Sequence, residues 1–469
     1  MPTSAKKFEK VVTGNVKGRH NPAVRTRTER EIAGQALRDI VPRKSHSDWK
    51  PPRQGRDPIQ ILEKSNRGRL PELVPIRYGR MVKSPFTFLR GAAAVMAHDL
   101  AGTPATGLRV QACGDCHLLN FGLFATPERR LVFDLNDFDE THPGPWEWDL
   151  KRLVVSFAIA GRDNGLSDTQ AQDAVLECAR AYREHMRECS NMTPMEVWYQ
   201  HLDMQALIDK APDAKSRKFR AQLAEQARQR IIEHLFPKIA EAAGGRHRLV
   251  DQPPILFHVS EADWEKRVRR ALSLYRQSLS DERRVLLDRY RFEDSALKVV
   301  GIGSVGTRCY IALLISDDRD PLILQFKEAR RSVLEPYTGK SAYHNQGQRV
   351  VMGQRLMQSS SDIFLGWMRG QDGNDFYVRQ LRDMKMSIPL EGLNAVQLKR
   401  YAKGCGWTLA RAHAKSGDAS AISGYLGKSD NLDRALAGFA FAYADQTERD
   451  HAVLVKAVRS GRIQVLSEE

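Results

Sequence analysis

Hydrophobic and polar positions follow two different periods along this chain, and the change of period predicts two kinds of structure. Between residues 57 and 290 apolar side chains recur mostly at helical spacing, and the same spacing returns after residue 393. From residue 297 to residue 381 short apolar runs rich in β-branched residues alternate with turn signals. This pattern predicts an α+β fold with a small antiparallel-sheet lobe and a larger helical lobe. The predicted helices cover residues 92–100, 153–160, 171–187, 219–242, 262–290, 343–358, 393–415 and 432–445.

A second strand signal lies inside the first helical region, between Cys113 and Leu150. An apolar run at residues 131–133 and a turn signal at residues 126–128 predict a short β-hairpin. The hairpin would bring two polar clusters, residues 115–120 and 137–139, to the same end. Carboxylates gathered in one place repel each other, so such a site normally holds a cation.

Three chemistries fit these polar clusters. In phosphoryl transfer of the kinase type, Asp115 would accept a hydroxyl proton, and Asn120, five residues later, and Asp137, after the strand, would hold metal ions. In an Asp-nucleophile phosphatase, residues 137–141 would form a D-x-D-x-T motif with Asp137 as the nucleophile. Residues 113–117 also read C-x-x-C-H, the haem-attachment pattern, but that interpretation leaves Asp115 and Asn120 unexplained. We expect the two cysteines to pack under the loop instead.

A glycine motif marks the strand-rich region. Gly301, Gly303 and Gly306 form G-x-G-x-x-G, and the chain then continues as a strand, a turn at residues 317–321 and a second strand that carries Lys327. A dinucleotide-binding fold needs a helix directly after the glycines, whereas glycine loop, strand, turn and strand with lysine is the arrangement of a kinase nucleotide lobe. We therefore predict that the loop, including Ser304, and Lys327 grip the phosphates of ATP.

The sequence leaves the acidic partner of Lys327 open, and Glu335 is the best-placed candidate. Glu335 precedes Pro336, which argues against a helix interior, and Glu328 would point to the opposite face of the strand. The order of the motifs is also unusual, because the acidic clusters precede the glycine loop. The parts form one kinase-like fold if the chain is circularly permuted, which is tolerable because termini often lie close together. The predicted units are a basic arm at 1–56, a helical lobe at 57–295, a nucleotide lobe at 296–387 and C-terminal helices at 388–469.

Several short motifs resemble known families. GDCHLLNFG resembles the catalytic loop of aminoglycoside and choline kinases, with Cys113 in place of the usual histidine, and NDFDE with WEWDLKRL resembles their metal-binding strand end and following helix. RYGRM, SPFTFLRG, GQRLMQ, SDIFLGW, VRQLRDMK and LARAHAKSGD further resemble the bacterial domain-of-unknown-function family 2252, from about residue 57 onward. The resemblance implies a permuted protein-kinase-like phosphotransferase that uses ATP and Mg²⁺ and an unidentified hydroxyl acceptor. The site residues it implies are Asp115 and His117 as catalytic residues and Asn120, Asp137 and Asp139 as metal ligands. A pseudokinase that binds nucleotide without turnover stays open, because of Cys113 and the missing helix glutamate.

Charge and composition bear on the cellular compartment and on the partners of the protein. The formal net charge is +16, and residues 1–56 hold fourteen Lys and Arg against five Asp and Glu. We expect this arm to be partly disordered, either as a solvated tail or as a handle for an anionic partner. Aromatic residues do not interleave with its basic residues, so no specific nucleic-acid motif is evident. No apolar run reaches membrane-spanning length and the six cysteines lack a regular spacing, so we expect a cytoplasmic protein.

Overall fold

The chain folds as a mixed α+β protein, which the computed structural model describes for residues 25–51, 55–381 and 383–466. The α-helices are α1 Arg27–Ile40, α2 Pro58–Asn66, α3 Val74–Met81, α4 Pro85–Gly91, α5 Ala93–Leu100, α6 Trp146–Asp163, α7 Asp168–Ser190, α8 Pro194–Tyr199, α9 Met204–Asp209, α10 Ala214–Arg228, α11 Ile232–Ile239, α12 Trp264–Arg276, α13 Asp281–Leu287, α14 Glu335–Thr338, α15 Gln346–Met357, α16 Ala395–Ser416, α17 Ala419–Leu426 and α18 Asn431–Arg459. Short 3-10 turns occupy Arg43–Ser47, Pro71–Leu73, Leu118–Asn120 and Ile302–Ser304.

The described strands form two larger sheets and two separate pairs of strands. They are β1 Arg109–Ala112, β2 Phe121–Ala125, β3 Leu131–Leu135, β4 His142–Pro145, β5 Leu202–Asp203, β6 Ala240–Ala243, β7 Arg246–Leu249, β8 Leu256–Phe257, β9 Tyr290–Lys298, β10 Cys309–Ser316, β11 Pro321–Ala329, β12 Gly366–Arg369, β13 Asp375–Gln380 and β14 Met386–Ser387. One sheet has the order β12-β13-β11-β10-β9-β8 and another the order β14-β2-β3-β5. β1 pairs with β4, and β6 pairs with β7.

The six-stranded sheet is the centre of the small lobe, and every neighbouring pair in it is antiparallel. It begins earlier than the predicted residue 296, because β8 and most of β9 precede that position. Helix α15 packs on β12 and β13. A side chain at Gly347 in this helix would stand 2.1 Å from the carbonyl oxygen of Phe376, so only glycine permits this close approach.

The helical lobe is built around α6, whose residues 146–161 are all buried. Helix α16 packs along α7, and α18 packs along α6. The predicted hairpin is present: β2 pairs with β3 from Phe121 opposite Leu135 to Ala125 opposite Leu131. After the small lobe the chain returns to the helical lobe, where β14 pairs with β2 through Met386 opposite Leu123 and Ser387 opposite Gly122.

Other predicted segments also differ from the structure. Residues 262–290 do not form one helix, because they divide into α12 and α13 and the chain enters β9 at Tyr290. Residues 219–242 do not form one helix, because the chain breaks between α10 and α11 and then enters β6. Gly244 and Gly245, both with positive φ, turn β6 back onto β7, a turn that suits two glycines. In the basic arm, residues 1–24 and 52–54 lie outside the described residues, but residues 27–40 form α1, which packs on α17. Within the described parts of the chain, no helix combines the length and apolar character needed to cross a bilayer.

Candidate functional site

The loop that carries Asp115 is held by a buried carboxylate from the start of α6. Asp149, 1% exposed, accepts hydrogen bonds from the backbone N–H of Cys113 at 2.6 Å and of Gly114 at 2.9 Å. His413 Nε2 lies 3.2 Å from the same carboxylate. Gly114 has φ +85, a conformation that suits glycine. The loop is therefore anchored through its backbone to the core of the helical lobe.

Asp115 is oriented by an arginine that the sequence analysis did not single out. Arg152 Nε donates to Asp115 Oδ1 at 2.7 Å, and the arginine is 2% exposed. Asn120 Nδ2 donates to the backbone carbonyl of Asp115 at 2.5 Å. His117 Nε2 lies 3.9 Å from Asp115 Oδ2, and burial lowers the pKa of His117 to about 3. The imidazole is thus neutral near pH 7 and does not contribute a positive charge to the site.

Asp139 is the point at which the two lobes meet. Its Oδ2 lies 2.5 Å from Lys327 Nζ and accepts from Ser304 Oγ at 2.8 Å, while its Oδ1 accepts from Tyr377 OH at 2.7 Å. Burial by itself would raise the pKa of Asp139, but the charge of Lys327 and the hydrogen bonds from Lys327, Tyr377 and Ser304 together outweigh it and hold that pKa below its usual range. Burial would likewise lower the pKa of Lys327, but Asp137 and Asp139 hold it above its usual value. Both groups are therefore charged at neutral pH.

The glycine loop lies directly over the acidic residues. A Cβ placed on Gly303 would stand 3.8 Å from Asp115 Oδ2. Arg69, from the helical lobe, donates to the carbonyls of Gly303 at 2.9 Å and of Val305 at 2.5 Å. The backbone N–H groups of Ser304 and Val305 donate inside the loop to the carbonyl of Gly301. The loop is held against the helical lobe and contains a 3-10 turn.

Three further basic residues face the same cleft, and the sequence did not identify any of them as a site residue. They are Arg90, Arg379 and Lys385. Burial lowers the pKa of Arg90, and Asp115 and Asp137 are the charges that oppose this effect. Burial, then the charge of Arg379, lowers the pKa of Lys385 well below its usual value. Lys385 Nζ donates to the carbonyl of Asn136 at 2.7 Å, so it lies beside the strand end that leads to Asp137. The cleft thus carries both acidic and basic groups.

The structure brings most of the predicted site residues into one place. Contacts connect Asp115 with His117 and Asn120, and Asp139 with Ser304 and Lys327, as given above. Asp137 lies in the same group, since its Oδ1 accepts from the N–H of Asp139 at 3.2 Å. Gly301 is exposed, and Gly306 packs on the side chain of Arg69 with φ +84. Asp139 is the partner of Lys327 that the sequence did not reveal, whereas Glu328 pairs with Arg308.

The residues missed from sequence come from elements distant in the chain. Asp149 and Arg152 lie three positions apart in WEWDLKRL, where one helix face carries both, and this was the available signal. Tyr377 and Arg379 alternate along β13, and only the sheet order brings them beside β11. The longer of the two helices between β11 and β12, α15, carries no glutamate, and its buried Arg349 donates to the carbonyl of Asp139 at 2.8 Å.

The donor set suits a metal ion only in part. Across the described ranges, no group of three or more His, Cys, Asp and Glu side chains lies together as a dedicated metal site would. Asp137, Asp139 and Asn120 offer two carboxylates and one amide oxygen, and Asp139 is engaged by Lys327. Mg²⁺ is commonly held by one or two carboxylates together with substrate phosphates, so this set fits Mg²⁺ bound jointly with a nucleotide. Cys113 and Cys116 are buried, and Cys113 Sγ donates to the carbonyl of Asp137 at 3.3 Å.

Comparison with known proteins gives one match. A family model described as "Uncharacterized protein conserved in bacteria (DUF2252)" matches residues 69–457. No curated protein and no solved structure matches the chain. The matched segment covers most of the sequence and contains Asp115, Asp139 and Lys327. The chain therefore belongs to the DUF2252 family of bacterial proteins.

Proposed function

We propose that this protein is an ATP-dependent phosphotransferase that moves the γ-phosphoryl group to a hydroxyl of an unidentified acceptor. One observation carries the proposal: Lys327, Ser304 of the glycine loop and the acidic loop meet at the carboxylate of Asp139. In kinases a lysine of this kind grips the phosphates and lies near the aspartate that binds the metal ions. The meeting of these groups across two lobes is what that chemistry requires.

The order of elements in the small lobe supports the same function. The chain runs in order through β9, the glycine loop, β10, β11 with Lys327, the single-turn helix α14, helix α15 and strands β12 and β13, and then it passes to the helical lobe. Glycine loop, lysine strand, helix and hinge in this order form the nucleotide lobe of protein kinases. The loop of Asp115 lies earlier in the chain, which makes the proposed fold a circular permutation of that arrangement.

Each residue has a defined task in the proposed reaction. Asp115, held by Arg152 through Oδ1, accepts the proton of the attacking hydroxyl through Oδ2. Asn120 and Asp137 would supply oxygen ligands to Mg²⁺, which would neutralise charge on the phosphates. Lys327 binds a phosphate oxygen once the nucleotide competes with Asp139 for its amine. The glycine loop covers the phosphates after its internal hydrogen bonds open.

Two other functions make different predictions. A nucleotide-binding module without turnover is favoured by the absence of a glutamate in α15, because Lys327 then lacks the partner that positions it in active kinases. A phosphatase with Asp137 as nucleophile is disfavoured by Thr141, whose Oγ is buried and donates to the carbonyl of Ala112 at 2.7 Å. The threonine of that motif is therefore occupied within the core.

The test combines binding and turnover on the full chain. The midpoint temperature of thermal unfolding should rise with the concentration of Mg²⁺ and ATP, because a ligand that binds only the folded state stabilises it. Labelled ATP incubated with the protein and cell extract should transfer its γ-phosphate to an acceptor.

Two variants test the roles of single residues. Lys327→Met should weaken nucleotide binding by roughly tenfold to a hundredfold, the usual contribution of a charge-assisted contact. Asp137→Asn should abolish turnover while the fold persists.

Asp317→Asn provides the matched control, since this carboxylate is exposed and pairs with Arg291 on the lobe surface. Its binding and turnover should equal those of the unaltered chain. Saturable nucleotide binding without phosphate transfer to any acceptor would contradict the phosphotransferase proposal and support a nucleotide-binding module. A phosphoenzyme that forms from p-nitrophenyl phosphate, is lost in Asp137→Asn and is kept in Lys327→Met would support the phosphatase hypothesis instead.

A further inference from the structure

A large apolar cavity lies in the helical lobe and has no part in the function proposed above. Its volume is about 800 Å³, within the range of roughly 300 to 1,000 Å³ typical of small-molecule sites. The β2–β3 hairpin, α10 and α16 enclose it. Apolar side chains dominate the wall, among them Phe133, Leu223 and Trp407. The wall therefore suits a hydrocarbon ligand rather than a sugar or a nucleotide.

The mouth of this cavity is strongly basic. The charged residues that line it are one acid, Asp213, and five bases, Lys210, Lys215, Arg220, Arg400 and Lys403. Arg400 Nη2 donates to Asp213 at 2.8 Å, which satisfies one of the five. Burial, and then the positive charge of Arg400, lowers the pKa of Arg220, so two guanidinium groups lie close enough to repel. An anion at the mouth would relieve this repulsion.

We propose that this cavity binds a single-chain anionic amphiphile, with the hydrocarbon chain inside and a carboxylate or phosphate head group at the basic mouth. Charge complementarity and the apolar wall together select this class. A neutral hydrocarbon would not use the net positive charge of the mouth, and a cationic amphiphile would be repelled. The proposal does not depend on nucleotide chemistry, because none of the residues that line the cavity belongs to the acidic site.

The cavity nonetheless adjoins the loop of Asp115. Tyr401 lines the cavity, and its hydroxyl donates to the carbonyl of Leu118 at 2.5 Å. Leu118 begins the 3-10 turn that carries Asn120. A bound chain would therefore contact a side chain that holds this turn in place.

Titration calorimetry on the full chain tests the proposal with decanoate, dodecanoate and tetradecanoate below their micelle concentrations. Each added methylene should tighten binding by roughly fourfold, the free energy of burying one such group converted to an affinity ratio. Dodecyl phosphate measured beside dodecanoate distinguishes a phosphate head group from a carboxylate. Dodecyltrimethylammonium should bind at least tenfold more weakly. Equal affinity for the cationic amphiphile, or no dependence on chain length, would overturn the proposal.

Two variants locate the ligand. A Cβ at Gly404 would meet only the ring of Phe133, at 3.5 Å, so Gly404→Leu should fold and place its side chain in the cavity. This variant should lose binding of all three carboxylates. The double variant K210E/K403E should weaken dodecanoate binding at least tenfold, while K266E/K428E, with the same change of net charge at exposed positions elsewhere, should not. If Gly404→Leu fails to fold, the two double variants still decide, and equal binding by both would overturn the proposal.

Discussion

Ser304 donates a hydrogen bond from its hydroxyl to Oδ2 of Asp139 at 2.8 Å, across a separation of 165 positions. Lys327 lies 2.5 Å from the same oxygen. The glycine loop, the lysine strand and the acidic loop therefore share one carboxylate. This contact closes the small lobe onto the helical lobe.

The Asp139–Lys327 pair predicts a specific pH dependence. The pKa of Asp139 lies below its usual 3.8, so its contribution to stability is complete above that value and is lost as the pH falls through the folded-state pKa. The pKa of Lys327 lies above its usual 10.5, so its contribution is complete below that value and is lost at higher pH. Asp139→Asn should lower the free energy of unfolding by about 3 kcal/mol at pH 7, as expected when one member of a buried pair is removed.

Urea unfolding of the unaltered chain and of Asp139→Asn between pH 2.5 and pH 8 measures this difference. The gap between the two proteins should be constant from pH 5 to pH 8 and should narrow below pH 4. A gap that stays constant down to pH 2.5 would contradict the assignment.

Asp149 is predicted to hold the loop of Asp115. In Asp149→Asn an amide NH₂ would face a backbone N–H of Cys113 or Gly114, which places donor against donor. The free energy of unfolding should fall by about 2 kcal/mol, the cost of a buried polar group without its partner. Asp163→Asn, on the same helix but exposed, should change it by less than about 0.5 kcal/mol. Chemical denaturation compares the two, and similar losses would refute the anchoring role.

Buried histidines predict a loss of stability in mild acid. Burial lowers the pKa of His46 and His117 to about 3 and of His142 to about 4. The unfolded chain binds protons at these positions near pH 6.5 and the folded chain does not, so stability falls as the pH drops below 6.5. Each histidine adds a slope of about 1.4 kcal/mol per pH unit. His142→Gln should reduce the slope measured between pH 6 and pH 4.5 by that amount, and an unchanged slope would contradict the pKa assigned to His142.

Two glycines in α16 predict opposite effects of the same substitution. A Cβ at Gly406 would stand 2.2 Å from the carbonyl oxygen of Cys178 in α7, so Gly406→Ala should push the helices apart and cost about 1 to 3 kcal/mol. In Gly404→Ala the new Cβ would lie 3.5 Å from the ring of Phe133, an ordinary contact distance. It should stabilise the chain by up to about 1 kcal/mol, because alanine favours the helix. Thermal unfolding of both variants checks the contrast, and equal effects would show that α16 and α7 are not packed this closely.

Local patterns in the sequence were sufficient for the elements that hold the site. The apolar run and turn signal around residues 126–133 specify the hairpin β2–β3, because alternation and turn chemistry act over a few residues. The same kind of signal placed Lys327 on a strand after a glycine loop. It also placed α15, whose ends differ from the prediction by three residues or fewer, whereas α18 continues to Arg459, well beyond its predicted end at residue 445.

The tertiary structure decided which charged groups meet. Lys327 could pair with any acid that packing brings near it, and the sequence offered Glu328 and Glu335 at close range, whereas the fold selects Asp139. The helix α1 was likewise hidden in a basic segment, since its docking depends on Gly34 lying against the backbone of Ala421. Periodicity reports which face of an element is buried, but not what lies opposite. Ion pairs, loop anchors and cavities depend on elements far apart in the chain, so they follow from the packed structure alone.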